Sequence, residues 1–208
     1  MLKGLYAITD ARLTPYEGGK IFQMVERALK GGAKILQLRD KETPDAALLP
    51  IALELKRLCR EYGALFIVND RLVLAKMAKA DGLHIGKEDV ALELAKKEFS
   101  QGIIGVSCYG DISRAKKAEA LGASYVAFGS FYPSPTKPSS PLIPKELLRE
   151  AKRILQIPIC AIGGITLERA KELIALGADM IAVISDLWRA QDIEAKARAY
   201  NKLFEDLS

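Results

Sequence analysis

The chain has 208 residues, of which 50% are hydrophobic and 27% are charged, and its formal net charge is +5. This length suits one well-buried domain and is short for two. The lysines and arginines form no compact run with interleaved aromatic residues, which argues against nucleic-acid binding, although a mild positive bias favours anionic substrates. No stretch approaches the roughly 18 apolar residues of a membrane span, so we expect no membrane partner.

The cysteines indicate a reducing compartment. Cys59, Cys108 and Cys160 are odd in number and lack the spacing of a metal site. Cys59 falls on a predicted helix and Cys160 in an apolar strand, so both are expected to be buried thiols. The first residues show no signal-peptide pattern, and we expect a cytoplasmic protein. The oligomeric state stays open, with a homo-oligomer among the possibilities.

A rhythm of apolar run, polar cluster and helical stretch repeats eight times along the chain. The apolar runs are residues 5–8, 35–38, 65–68, 82–84, 103–106, 125–128, 157–161 and 180–184. Short apolar runs that alternate with helical patterns predict parallel strands. Eight such units predict the α/β class and a (β/α)₈ TIM barrel, as a single domain that spans residues 1–208.

Helices are predicted between these strands. They are residues 18–30, a helix that Pro44 opens with Thr43 as its N-cap and Gly63 ends, 112–121, a helix that Pro144 starts, 167–176 and 192–204. Gly-Ala pairs at 32–33, 122–123 and 177–178 follow three of them. This punctuation is typical of a C-cap glycine that leads into the next strand.

Three long polar side chains follow the second strand. Strand alternation sends Gln37, Arg39 and Lys41 to the same side, where the arginine and lysine could hold a diphosphate. A surface ion pair of Asp40 with either cation is the alternative interpretation.

Two carboxylates follow neighbouring strands, Asp70 after the third and Asp89 after the fourth. An isolated aspartate at such a place more often caps a helix. A pair at adjacent strand ends fits a Mg²⁺ ion that keeps water ligands and binds substrate phosphate. The sequence therefore predicts a magnesium site here.

The long loop at residues 129–141 is rich in serine and proline, and long loops in compact domains are commonly functional. It presents Thr136 and Lys137 to an anion at little ordering cost, although a structural proline-rich turn is the alternative. Gly163-Gly164 after strand seven and Ile184-Ser185 after strand eight stand where barrels often bind phosphate.

His84 is the only histidine and is interpreted as a hydrogen-bonded structural residue. Trp188 and Phe128 are expected to pack in the core. Phe131 and Tyr132 are expected to pack as well, with contact to a substrate ring as the alternative.

These clusters together resemble the thiamine-phosphate synthase family from end to end. The segments that carry the resemblance are residues 5–10, 37–41, 69–71, 81–89, 105–107, 128–137, 161–166 and 181–185. The Ser-Pro-Thr-Lys loop is the most discriminating of them. The resemblance implies an enzyme that joins a pyrimidine diphosphate to a thiazole phosphate and releases diphosphate.

The resemblance also implies roles for individual residues. The residues that it assigns to binding of the pyrimidine diphosphate are Gln37, Leu38, Arg39, Asp40, Lys41, Asn69, Ser107 and Lys137. It assigns Asp70 and Asp89 to the Mg²⁺ ion. The residues that it assigns to the thiazole phosphate are Ser134, Pro135, Thr136, Gly164, Ile184 and Ser185. Lys87 and Ser134 depart from the family's usual glutamine and threonine, and neither change removes a required charge.

The mechanism implied by the resemblance is dissociative. Diphosphate leaves the pyrimidine methylene carbon, the amino-substituted ring stabilises the cation, and the thiazole nitrogen captures it. Arg39, Lys41 and Lys137 would act as the catalytic residues by offsetting the charge of the leaving diphosphate. The alternative is a thiazole tautomerase of the TenI type, which uses a histidine in the loop after strand six, where this chain has Gly129, Ser130 and Phe131.

Overall fold

Eight parallel strands close into a barrel in the computed structural model, which describes residues 2–136 and 138–206. The strands are β1 (Gly4–Ile8), β2 (Ile35–Leu38), β3 (Leu65–Asn69), β4 (Gly82–Ile85), β5 (Ile103–Tyr109), β6 (Tyr125–Phe128), β7 (Ile159–Ala161) and β8 (Met180–Val183). Each strand pairs with its neighbours in sequence, and β1 pairs with β8 to close the ring. The predicted (β/α)₈ fold is confirmed.

Helices follow the strands and form the outer layer. They are α1 (Lys20–Lys30), α2 (Asp45–Glu61), α3 (Leu72–Met77), α4 (Leu92–Glu98), α5 (Ile112–Ala120), α6 (Leu147–Ile154), α7 (Leu167–Ala175), α8 (Ser185–Trp188) and α9 (Ile193–Asp206), and a 3₁₀ turn (Glu17–Gly19) precedes α1. Across the described ranges, no helix is both long and apolar enough to cross a membrane.

Two predicted helix starts differ from the structure. Pro44 itself occupies the N-cap of α2, because the Thr43 hydroxyl donates to Asp40 instead of capping the helix. The sixth helix begins at Leu147 and not at Pro144, since the residues between them form turns in which Leu147 N–H donates to the Pro144 carbonyl.

Alternation along the strands separates two apolar layers. Side chains such as Tyr6, Ile35 and Tyr125 fill the barrel interior, while those such as Leu36 and Leu38 pack outward against the helices. The alternation turns Gln37, between Leu36 and Leu38, toward the interior.

Aspartates secure the amino-terminal end of the barrel. Asp81, before β4, accepts a hydrogen bond from Phe66 N–H at 2.7 Å, and Asp179, before β8, accepts one from Ile159 N–H at 2.9 Å. Lys56 and Lys152 pair with these carboxylates. The strands thus keep their backbone groups paired at the end opposite the polar clusters.

Candidate active site

A cavity lies at the carboxyl-terminal end of the barrel, where the polar clusters meet. The predicted binding residues that line it are Gln37, Arg39, Asn69, Ser107, Ser134, Thr136, Gly164, Ile184 and Ser185. Tertiary structure therefore brings together residues that come from six of the eight strand ends. Pro135 lines a neighbouring shallow depression.

Gln37 and Arg39, two alternate residues at the end of β2, face the cavity, whereas Lys41 is not among the residues that line it. Lys41 Nζ lies 2.9 Å from Asp70 Oδ2. Leu38 is only 2% exposed and packs in the outer layer, so its side chain points away from the cavity. The resemblance assigned the whole segment to the diphosphate, whereas strand alternation gives the site every second side chain.

Asp40 is held by its own loop. Its carboxylate accepts hydrogen bonds from the Thr43 backbone and hydroxyl, from Glu42 N–H and from the Tyr16 hydroxyl. Burial acts to raise the pKa of this carboxyl, but these hydrogen bonds outweigh burial and lower the pKa to about 2. Asp40 therefore shapes the loop, and its carboxylate is not part of the cavity wall described above.

Asp70 and Asp89 form a hydrogen-bonded carboxyl pair. Burial acts to raise the pKa of both, and the Asp70 charge raises that of Asp89 further. The hydrogen bond from Asp89 and the Lys41 ammonium outweigh burial at Asp70 and lower its pKa. Asp70 is therefore the stronger acid of the two. Gly86 N–H donates to Asp89 Oδ2 at 2.6 Å and orients that carboxyl.

The backbone at Asp70 has an unusual conformation. Its φ angle is +62°, and Arg71 N–H donates to the Asn69 carbonyl across it at 2.7 Å. Left-handed backbone at a residue other than glycine is uncommon and is concentrated at functional sites. Asn69, directly before this turn, lines the cavity, whereas the Asp70 carboxylate pairs with Lys41.

The carboxyl pair fits a magnesium ion. The described residues offer no cluster of three acidic, histidine or cysteine side chains that could enclose a metal. Two oxygen ligands from the protein, with water and substrate phosphate completing the octahedron, are what Mg²⁺ commonly takes.

Glycines and a short helix form the opposite side of the cavity. Gly163 and Gly164 have φ angles of +104° and +60° in the turn after β7, and Thr166 caps α7 by accepting from Arg169 N–H. Ser185 begins α8 directly after β8. Sequence reasoning missed α8, because four residues are too few to show a helical period.

Gly164 is required by the neighbouring loop. A Cβ at this position would lie 2.3 Å from the Pro133 carbonyl oxygen and 2.7 Å from that of Tyr132. The nearest obstacle to a side chain at this position is therefore the backbone of the loop after β6.

The aromatic residues of that loop point away from the cavity. Phe131 is 4% exposed and belongs to the outer layer of the core. The ring of Tyr132 lies beneath the Lys145 ammonium at 5.3 Å and the Arg169 guanidinium at 4.6 Å. Neither ring flanks the cavity, so packing is the correct interpretation. Lys137 lies outside the described residues, and its role stays a prediction.

The barrel interior holds a hydrogen-bond network that sequence reasoning did not find. The interior network runs in order through Gln37, Tyr6, Tyr125, His84 and Ser107, with every link 2.7 or 2.8 Å long. The available signal was that these polar residues occupy inward-facing positions of their strands. His84 is hydrogen-bonded, as the sequence predicted, and it also lines the cavity together with its partner Ser107.

The fold and the site define a (β/α)₈-barrel enzyme whose polar groups gather at the carboxyl ends of the strands. Residues 5–187 match the family model described as thiamine monophosphate synthase. The chain belongs to this family.

Relatives that carry the name of this family agree with this assignment. The thiamine-phosphate synthase of Acidithiobacillus ferrooxidans is 46% identical over 210 residues, covering 99% of this chain and 96% of the relative. That of Wolinella succinogenes is 49% identical over 189 residues, covering 90% of this chain and 86% of the relative. The solved thiamine phosphate pyrophosphorylase of Pyrococcus furiosus superposes with a TM-score of 0.90 at 39% identity, covering 99% of this chain and 96% of that one.

Proposed function

We propose that the chain couples 4-amino-2-methyl-5-pyrimidinylmethyl diphosphate with thiazole phosphate and forms thiamine phosphate and diphosphate. The observation that carries the proposal is that charged side chains stand at one side of the barrel mouth, while a glycine turn and a helix start stand at the opposite side. The carboxyl pair with Lys41 and Arg39 follows β2 to β4, and the glycine turn and α8 follow β7 and β8. Strands four positions apart face each other across an eight-stranded barrel, so the two sides are opposed.

The diphosphate belongs on the side of β2 to β4. Arg39 and Lys41 supply cationic groups there, and a planar guanidinium can bind two phosphate oxygens at once. We also assign Asn69 and Ser107 to this substrate, since both line the cavity. Lys137 would add a third cation.

Asp70 and Asp89 would hold the Mg²⁺ ion. When bound, the ion supplies positive charge that offsets the charge of the departing diphosphate. Lys41 contacts Asp70, so this cationic residue after β2 also adjoins the proposed metal site.

The thiazole phosphate belongs on the side of β7 and β8. Gly164, Ser185 and Ile184 line that side, and backbone N–H groups at a helix start attract phosphate. Ser134, Pro135 and Thr136 would close over the thiazole, because the loop that carries them rests on the Gly163-Gly164 turn.

The residues suit a dissociative reaction without a protein nucleophile. Cys160 lines the cavity, but burial raises the pKa of its thiol far above neutrality, so little thiolate forms. The work of the protein is to offset diphosphate charge and to hold the thiazole nitrogen near the methylene carbon. The three free cysteines suit the reducing cytoplasm that we propose as the location.

A tautomerase activity is the alternative that the resemblance leaves open. The chain's single histidine is His84, whose two ring nitrogens bond Tyr125 and Ser107. The loop after β6 has no histidine, which supports the synthase.

The decisive experiment is a product assay. Purified protein is incubated with the pyrimidine diphosphate, thiazole phosphate and Mg²⁺, and we expect thiamine phosphate and diphosphate in equal amounts. Tautomerised thiazole alone would support the alternative, and no product from either reaction would refute both.

The metal assignment has its own test. We expect Asp70→Asn to weaken activation by Mg²⁺ by at least about tenfold, because a carboxylate ligand is lost. The measurement is a Mg²⁺ titration of the rate, with Glu88→Gln as the control for loss of one exposed negative charge. Full activity of the original protein in excess chelator would contradict the assignment.

A further inference from the structure

The interior network connects two cavity residues through the centre of the barrel. Gln37 and Ser107 stand at its ends and line the cavity, and Tyr6 and His84 between them also reach its wall. Tyr6 and Tyr125 in its middle are 1% and 0% exposed. Each link needs one donor and one acceptor, so the direction of any link limits the direction of the next.

The direction of hydrogen-bond donation along the interior network is set at Gln37. Its Nε2 donates to the Tyr6 hydroxyl oxygen at 2.7 Å. A phenol has a single proton, and Tyr125, at 2.8 Å, is the one further partner that the described residues offer this hydroxyl. The Tyr6 proton therefore points to Tyr125, because the reverse would leave a buried O–H unpaired.

The remaining links, from Tyr125 to Ser107, follow the same direction of donation. The Tyr125 proton points to His84 Nδ1 at 2.8 Å, so Nδ1 carries no proton and the proton of the ring is on Nε2. Nε2 then donates to Ser107 Oγ at 2.8 Å, and the Ser107 proton is left for a partner in the cavity. Burial raises the pKa of both tyrosines, so each keeps its proton near neutrality.

Space for the network comes from a glycine. Gly105 pairs with Tyr125 on the neighbouring strand, and a Cβ on Gly105 would lie 2.0 Å from the Tyr125 ring. The His84 and Tyr125 rings stack at 5.6 Å between centroids, which further limits their rotation. The geometry of the middle residues is thus set by packing as well as by hydrogen bonds.

We propose that the interior network holds His84 as the Nε2–H tautomer and thereby presents Gln37 Oε1 as an acceptor and the Ser107 hydroxyl as a donor to the pyrimidine ring. This inference rests on the proposed function, which places the pyrimidine at these two residues. An aminopyrimidine matches the pattern, because its amino group donates and its ring nitrogens accept. Tyr6, Tyr125 and His84 are positioning residues for that ring.

This arrangement of donor and acceptor would make the site specific for the amino form of the pyrimidine ring. Replacing the amino group by an oxo group reverses the hydrogen-bonding character of that edge of the ring. The site could match the oxo compound only if every link of the interior network reversed together. We therefore expect the oxo analogue of the pyrimidine diphosphate to have a kcat/KM at least about a hundredfold lower, because polar groups stay unpaired in its complex.

Nuclear magnetic resonance tests the tautomer directly. His84 is the only histidine in the chain, so the ¹H–¹⁵N spectrum of imidazole nitrogens in labelled, ligand-free protein reports on this ring alone. We expect a protonated Nε2 and an unprotonated Nδ1. The Nδ1–H tautomer, or a ring protonated at both nitrogens, would overturn the proposal.

Kinetics test the positioning role. Tyr125→Phe removes the central hydroxyl, and we expect the KM for the pyrimidine diphosphate to rise about tenfold while the KM for thiazole phosphate stays unchanged. Tyr6→Phe, a second variant with its own packing, should act in the same way. Tyr62→Phe is the matched control, since it loses a surface hydroxyl that donates to Glu26. Equal changes in the two KM values would indicate a merely structural role and contradict the proposal.

The two measurements separate the inference from the function on which it rests. The spectrum needs no turnover. An Nε2–H ring in a protein that makes no thiamine phosphate would refute the proposed function, whereas coupling activity with the Nδ1–H tautomer would refute the inference alone.

Discussion

At the scale of single residues, Asp40 shows how a buried carboxylate can serve a loop. Its oxygens accept four hydrogen bonds from residues 16, 42 and 43, and the side chain is 6% exposed. The bond with Tyr16 ties the loop after β1 to the loop after β2. Asp40 therefore stabilises the framework on which Arg39 and Lys41 stand.

The lowered pKa of Asp40 predicts that the stability of the protein depends on pH. Its folded-state pKa is about 2, below the roughly 3.9 of an unfolded aspartate. The carboxylate's contribution is therefore complete above about pH 4 and is lost as the pH falls toward 2. We expect Asp40→Asn to lower the free energy of unfolding by about 1–3 kcal/mol at neutral pH and by less as the medium becomes acidic.

Urea unfolding of both proteins across this range measures the effect. Glu42→Gln is the control, because Glu42 is exposed and adjacent. A difference between the original protein and Asp40→Asn that stays constant from about pH 7 to about pH 2 would contradict the sign of the linkage.

At the scale of elements, the strand ends at the bottom of the barrel depend on side-chain acceptors. Asp81 accepts from Phe66 N–H and pairs with Lys56 at 2.5 Å. We expect Asp81→Ala to lower the free energy of unfolding by about 1–3 kcal/mol, since a part-buried N–H loses its partner.

Thermal or urea unfolding of Asp81→Ala checks this expectation. Glu98→Ala is a useful comparison, because it breaks the exposed pair of Lys76 and Glu98 and should cost less than about 1 kcal/mol. Equal losses in the two variants would mean that the strand end does not rely on Asp81.

The turn after β7 supports the loop after β6. We expect Gly164→Ala to displace the backbone at Tyr132 and Pro133, because the new Cβ would overlap their carbonyl oxygens. The KM for thiazole phosphate should then rise at least severalfold, and more than the KM for the pyrimidine diphosphate.

Gly63→Ala provides the matched control for this substitution. Gly63 has a φ angle of +65°, close to that of Gly164, but a Cβ there meets nothing within 4 Å. Both variants bear the cost of a left-handed alanine, and only Gly164→Ala bears the overlap. If the two KM values change equally in Gly164→Ala, the thiazole phosphate does not bind at this turn.

At the scale of the whole molecule, the first strand is joined both to the last strand and to the short helix that follows it. β1 pairs with β8, and the Trp188 indole N–H donates to the Ile8 carbonyl at 2.6 Å. Trp188 is 4% exposed and packs in the outer layer, as the sequence predicted. The short helix α8 is thereby fixed over the seam of the barrel.

Loss of the Trp188 indole N–H should weaken this seam. We expect Trp188→Phe to lower the free energy of unfolding by about 1–3 kcal/mol without changing the denaturant m-value, because one hydrogen bond is lost and the barrel remains closed. Circular dichroism in urea measures both quantities, with Tyr62→Phe as a surface control. A markedly lower m-value would show that closure itself depends on Trp188.

Much of the barrel and part of the site follow from local patterns. Short apolar runs and C-cap glycines predicted all eight strands, because a buried parallel strand needs only its own few residues to be apolar. Alternation turned Gln37 and Arg39 toward the cavity for the same local reason. The positions of Asp70 and Asp89 after neighbouring strands indicated that the two carboxyl groups would meet, and they interact in the structure.

Contacts between distant segments needed the tertiary structure. Tyr6 and Tyr125 are separated by 119 positions and meet inside the barrel only because the sheet closes. Tyr132 could have faced a substrate, but its position between Lys145 and Arg169 depends on how the loop after β6 lies against α7. The sequence by itself determined which residues form strands and which side of a strand is buried. The tertiary structure alone decided which polar side chains meet, because such meetings depend on closure and loop packing, and these leave no periodic pattern in the chain.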